Sequence, residues 1–158
     1  MYLFMSYFLS GALGGLLAFI FSIPALLLEI IEQGKVKNIP LIVDLKILWG
    51  KQISKYTVFS ISLLFHILLG FLFGLFYPFF ERYFRTFTTT SFSFFSLIVY
   101  SMIFWIFIGG ALFPLMGGGL FGRKEGRRVW LELLLSFFLI GFFLWLAIQY
   151  YEPVFFVT

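Results

Sequence analysis

Three groups of residues in this chain could do chemistry. His66 is the sole histidine, and it lies inside a run that is otherwise apolar from 56 to 80. An imidazole at membrane depth needs a hydrogen-bond partner, and an intramembrane polar side chain often marks function. Two readings of it stay open. One is a neutral histidine bonded to a hydroxyl or a backbone carbonyl; the other is a proton relay, or a contact to a quinone or pigment. A single histidine cannot supply bis-histidine haem ligation or a multi-histidine metal site within one chain, so no metal and no cofactor is expected. Glu132 stands four residues after Arg128. This is the spacing of an ion pair on a helix, with a carboxylate on a polar pathway as the alternative.

The third group is the glycine-rich turn Gly117-Gly118-Gly119-Leu120-Phe121-Gly122, followed by Arg123, Lys124, Arg127 and Arg128. Glycines here permit positive φ and can present backbone N–H groups. With the basic residues they make Gly118, Gly119, Arg123, Lys124, Arg127 and Arg128 a candidate site for an anion or a lipid headgroup. A tight turn with a charged anchor is the plainer reading. The spacing does not fit a P-loop. No paired carboxylates, serine elbow or second histidine appear, and the absence of cysteine excludes thiolate chemistry and disulfides. The chain is expected to be non-catalytic.

The elements that position these residues are read from hydropathy. The chain is 62% hydrophobic and 11% charged, with a mean hydropathy of +1.07. A soluble domain of this length needs more polar surface. Apolar runs at 3–31, 56–80, 92–116 and 129–151 are each long enough to cross a hydrocarbon core of about 30 Å as a helix. They are solid runs without the alternation of a β-barrel. The expected fold is an all-α integral membrane protein, a single membrane domain over 1–158 with four transmembrane helices. The first run lacks a basic n-region and outlasts a signal h-region, so it reads as a retained span.

Between the first two runs, Leu41, Ile42, Leu45, Leu48 and Trp49 recur at helical spacing. They predict a short cytoplasmic interfacial amphipathic helix over 39–52, lying near anionic lipid headgroups, or else a re-entrant or protein-packed segment. Lys35, Lys37, Lys46, Lys51 and Lys55 in the first gap, and the four basic residues of the third, outweigh Arg82 and Arg85 in the second. The loops 32–55 and 117–128 are therefore expected in the cytoplasm, with both termini outside and the plasma (inner) membrane as the location. The net charge of +4 reflects this clustering beside the spans; no basic stripe points to nucleic acid.

Small residues define packing faces. Gly11, Gly15, Ala18, Ser22 and Ala25 recur at steps of four and three, and Ser62, His66, Gly70 and Gly74 at steps of four. Such faces let helix backbones approach closely, either within the chain or against a partner membrane protein or a second copy. An offset of 71 residues aligns Leu63 with Leu134, Gly70 with Gly141 and Glu81 with Glu152. That leaves open a duplicated 2+2 hairpin, although leucine and phenylalanine are common enough here to align by chance. The expected function is a structural or accessory subunit of a membrane complex or a homo-oligomer. The alternative is a small oligomeric transporter or channel with its pathway near His66.

Overall fold

The computed structural model describes the backbone of residues 2–32, 47–48, 51–52, 54–87 and 92–155. Within these it leaves aside the side chains of 2–6, 24–32, 47–48, 55–56, 59 and 151–155. The described chain is helical apart from one small ladder. Helix α1 runs Tyr2–Glu32, α2 Lys55–Phe84 and α3 Phe94–Phe107. A π segment, Ile108–Leu112, carries α3 into the single turn α4, Phe113–Met116; after a 3-10 turn at Leu120–Gly122, α5 runs Val129–Phe155. Ser93 caps α3, its hydroxyl accepting the Ser96 N–H at 3.1 Å, which satisfies a donor the helix cannot.

Helices α1 and α2 run antiparallel with their backbones in contact. A Cβ on Gly14 would fall 2.3 Å from the Gly70 carbonyl oxygen, and one on Gly74 would fall 2.2 Å from that of Ser10. Only glycine fits at either position. Pro78 lies inside α2 and has no N–H, so the Gly74 carbonyl four residues back loses its usual helical donor. The Ser10 hydroxyl takes that place, donating to the Gly74 oxygen at 2.7 Å. The proline therefore creates the acceptor that joins the two helices.

The remaining helices continue the up-and-down order. The Tyr100 hydroxyl donates to the Phe73 carbonyl at 2.6 Å, setting α3 against α2. The Trp105 indole donates to Trp130 O at 3.0 Å and the Trp145 indole to Phe92 O at 2.8 Å. Those two bonds, at opposite ends, make α3 and α5 antiparallel, so α2 and α5 run parallel. Between them lies an aromatic core: Phe73 stacks on Phe137 at 5.6 Å and meets Tyr100 and Phe104 at 4.7 and 5.2 Å. This topology puts exposed Lys51, Arg123, Lys124, Arg127 and Arg128 at one end of the bundle and exposed Arg82 and Arg85 at the other.

Among the described residues, three helical stretches are long and apolar enough to cross a membrane: Ser60–Phe84, Phe94–Met116 and Val129–Tyr150. Only 39% of the most apolar window of each is buried inside the bundle. Large apolar side chains such as Leu64, Phe95 and Phe107 point outward, 67%, 62% and 61% exposed. Apolar surface on that scale is stable against lipid tails and costly in water. The described apolar part of α1, Tyr7–Ile23, is shorter and packs along α2.

One expectation is corrected. The C-terminal end of the helix expected over 39–52 is a two-stranded antiparallel ladder, β1 (Ile47–Leu48) and β2 (Lys51–Gln52), pairing Ile47 with Gln52 and Leu48 with Lys51. The apolar stripe through Leu45, Leu48 and Trp49 matched a helical period, but Gly50 weakens a helix and suits a hairpin connection. Residues 39–46, 49 and 50, where the rest of that expectation falls, lie outside the described residues.

Candidate functional site

The interior holds two polar centres, one near each end of the bundle. The first is built on His66, six residues and about 9 Å of helix inside the start of the span at Ser60. It is buried, 8% exposed. Its imidazole hydrogen-bonds the backbone of Ala18 on α1, which ties the two close-packed helices together again. Its Nε2 is buried without a hydrogen-bond partner. It borders a small cleft between α2 and α5, about 10 Å³ in volume, whose lining includes Ser62, Phe65, Leu133, Ser136 and Ile140. Both serines are buried. His66 thus touches α1 on one side and faces α5 across the cleft on the other.

The second centre is a buried carboxylate that the sequence did not single out. Glu81, 2% exposed, lies in the last turn of α2 and reaches the start of α3. Its Oε2 accepts the Phe92 N–H at 3.0 Å, and its Oε1 accepts the Ser96 hydroxyl. An anion at this position also favours the α3 dipole. Phe92 has φ +51, a strained value for a bulky side chain. Its backbone is held at both groups, with its carbonyl accepting from Trp145 and, at 3.0 Å, from the Gln149 amide. Tyr77, fully buried, places its hydroxyl near Glu81 and Ser96 without a hydrogen bond of good geometry. The arrangement joins α2, α3 and α5 at one point.

The glycine-rich turn is closed by its own side chains. Gly117, at φ +92, ends α4 with a left-handed cap; the Gly118 N–H donates to Phe113 O at 2.9 Å and that of Gly117 to Pro114 O at 3.0 Å, a Schellman closure. The Glu125 carboxylate, 6% exposed, lies against Gly118, 3.6 Å from where a Cβ would stand, and the Lys124 stem crosses Gly119 at 3.3 Å. Arg123, Lys124, Arg127 and Arg128 are exposed around Glu125. Phe121 folds back over Gly109 in the π segment, where a Cβ would fall 2.2 Å from its ring, and packs on Trp105 at 4.6 Å.

The expected packing residues fall as follows. Ala18, Gly70 and Gly74 lie in the α1–α2 contact, joined by Ser10 and Gly14 rather than led by Gly11 and Gly15. The last two are also buried against α2, where a Cβ would fall 3.2 Å from the Phe71 carbonyl oxygen at Gly11 and 3.4 Å from the Phe71 side chain at Gly15. Ser22 is buried, its hydroxyl donating to Phe19 O at 2.6 Å. Ser62 faces α5, and the Ala25 side chain lies outside the described residues. Glu132 is half-buried one turn into α5, its N–H donating to Arg128 O at 3.1 Å. Among the described residues no group of three or more His, Cys, Asp or Glu side chains could hold a metal.

Compared with protein-family models, curated proteins and solved structures, the chain has no match. Fold and site define its class as a predominantly helical protein that has, among the described residues, three helices long and apolar enough to cross a membrane.

Proposed function

We propose that this chain is a four-span, non-catalytic membrane protein acting as a packing subunit, either of a larger membrane assembly or of a homo-oligomer. Helix α1, 31 residues long or about 46 Å at 1.5 Å per residue, is the fourth span. The supporting observation is how several polar side chains between the helices are used. Ser10 and Tyr100 bond the backbone of α2, and Glu81, Trp145 and Gln149 bond the Phe92 backbone that leads into α3. They hold helices in register, as a scaffold requires. The basic end is the cytoplasmic one in this reading, and its exposed arginines and lysines meet anionic headgroups.

Native mass spectrometry of the protein extracted in mild detergent tests it. The expected result is a defined oligomer or a stoichiometric co-purifying partner. A lone monomer, stable and partner-free across detergents, would count against the proposal.

A second reading rests on a separate observation, the unpartnered Nε2 of His66 at a small cleft that two serines also line. In that reading the chain is a small oligomeric transporter or channel whose pathway passes His66. Flux through proteoliposomes that is lost in His66→Ala supports it, and flux that is unchanged removes His66 from any pathway.

A further inference from the structure

The cleft at His66 has the attributes of a built binding site for something very small. The His66 ring is more than nine-tenths buried and its Nε2 meets no protein donor or acceptor. The bond to the Ala18 backbone is then made by the other ring nitrogen. A neutral imidazole that donates from Nδ1–H carries its lone pair on Nε2, so the open position is an acceptor and calls for a donor. Ser62 and Ser136, 1% and 5% exposed, line the same cleft from the two facing helices. A serine hydroxyl that donates elsewhere still has lone pairs to offer. The volume of about 10 Å³ matches one water-sized sphere, and two to four polar partners are what a buried water requires.

We propose that the α2–α5 cleft binds one small neutral hydrogen-bond donor, a water molecule, which donates to His66 Nε2 on α2 and to the hydroxyl oxygen of Ser136 on α5. The bound molecule completes a junction of three helices. His66 reaches α1 directly through Ala18 and α5 through the water. The small-residue row of α2 thereby divides its work: Gly70 and Gly74 bring α1 to backbone contact, while Ser62 and His66 keep a polar gap toward α5. A substrate-sized ligand is excluded by volume, and an anion is disfavoured by the lone pair it would meet. The proposal stands whether the chain is a subunit or a transporter.

The single histidine makes the test direct, because ¹⁵N-histidine labelling reports on one imidazole alone. The full chain in lipid nanodiscs should show a neutral ring protonated at Nδ1, with Nε2 as acceptor and a water-to-ring cross peak. Ser136→Leu, which fills the cleft, should abolish that cross peak, and Ser136→Ala should weaken it. Ser101→Ala, outside the cleft, should leave it unchanged. Absence of any water contact in the wild-type protein overturns the proposal without recourse to a variant. So does a cross peak that persists undiminished in a folded Ser136→Leu or Ser136→Ala protein.

Discussion

Substituting Ser10 by alanine removes one hydroxyl and nothing else from the tightest helix contact in the molecule. Because alanine keeps the Cβ and adds no atom, the approach of α1 to Gly74 is unaffected. What is lost is the bond from Ser10 Oγ to Gly74 O at 2.7 Å. That carbonyl cannot turn to its own helix, since position 78 is proline and offers no N–H. A buried acceptor left without a donor costs about 1–3 kcal/mol. Interhelical hydrogen bonds in membranes have measured near 0.6 kcal/mol on average and up to about 1.7. Ser10→Ala should therefore destabilise the bundle by about 1 kcal/mol. The cause predicts its own rescue: Pro78→Ala restores an intrahelical donor to Gly74, so in that background Ser10→Ala should cost less than about 0.5 kcal/mol. Unfolding in mixed micelles by added SDS, followed by the fluorescence of the four tryptophans, measures all four corners of the cycle. Additive effects, with Ser10→Ala equally costly in both backgrounds, would refute the link between the proline and the serine.

Gly14→Ala should weaken the same interface more severely. Its Cβ would stand 2.3 Å from Gly70 O, so the helices must part by about 1 Å. That forfeits up to half of each dispersion contact along the seam and costs about 1–3 kcal/mol. Gly110→Ala, whose Cβ meets nothing within 4 Å, should be neutral or stabilising in the same assay. At the opposite centre, Glu81→Ala strands the Phe92 N–H and the Ser96 hydroxyl, with an expected loss of about 1–3 kcal/mol. Glu81→Gln keeps one acceptor oxygen and should recover at least half of it. Hydrogen exchange at the Phe92 amide, accelerated more in the alanine variant, reads this bond directly.

Much of this was legible in the sequence, in unequal parts. The four long apolar runs all fall on helices, α1, α2, α3 with its continuation to Met116, and α5, because a long apolar helix leaves a compositional trace over twenty residues or more. The small-residue faces were legible in kind but not in register. Small residues occupy both 10, 14, 18 and 11, 15, 18 in α1, and periodicity alone cannot choose between rows that differ by one position. The choice is made by the partner, since the Gly70–Gly74 ridge and the carbonyl freed by Pro78 select Ser10 and Gly14.

The Glu81 centre was hidden for a different reason. Its acceptor role depends on the backbone of Phe92 at positive φ and on donors from Trp145 and Gln149, more than 50 residues away. No local pattern announces such a meeting. Glu125 was obscured by its neighbours, for a carboxylate inside a basic cluster reads as charge balance until the turn folds it against Gly118. The 39–52 segment shows the opposite failure, in which a clear helical period outweighed one glycine and the ladder pairing Leu48 with Lys51 gave no signal.

A bundle threaded through a membrane keeps its basic end on one side. The absence of cysteine makes single-cysteine labelling clean. With membrane-impermeant maleimide on intact cells and on inverted vesicles, Lys51→Cys and Lys124→Cys should react from the cytoplasmic side only, and Arg85→Cys from the opposite side only. Labelling of Lys51→Cys and Arg85→Cys from the same side would contradict the transmembrane course of α2 and the account with it.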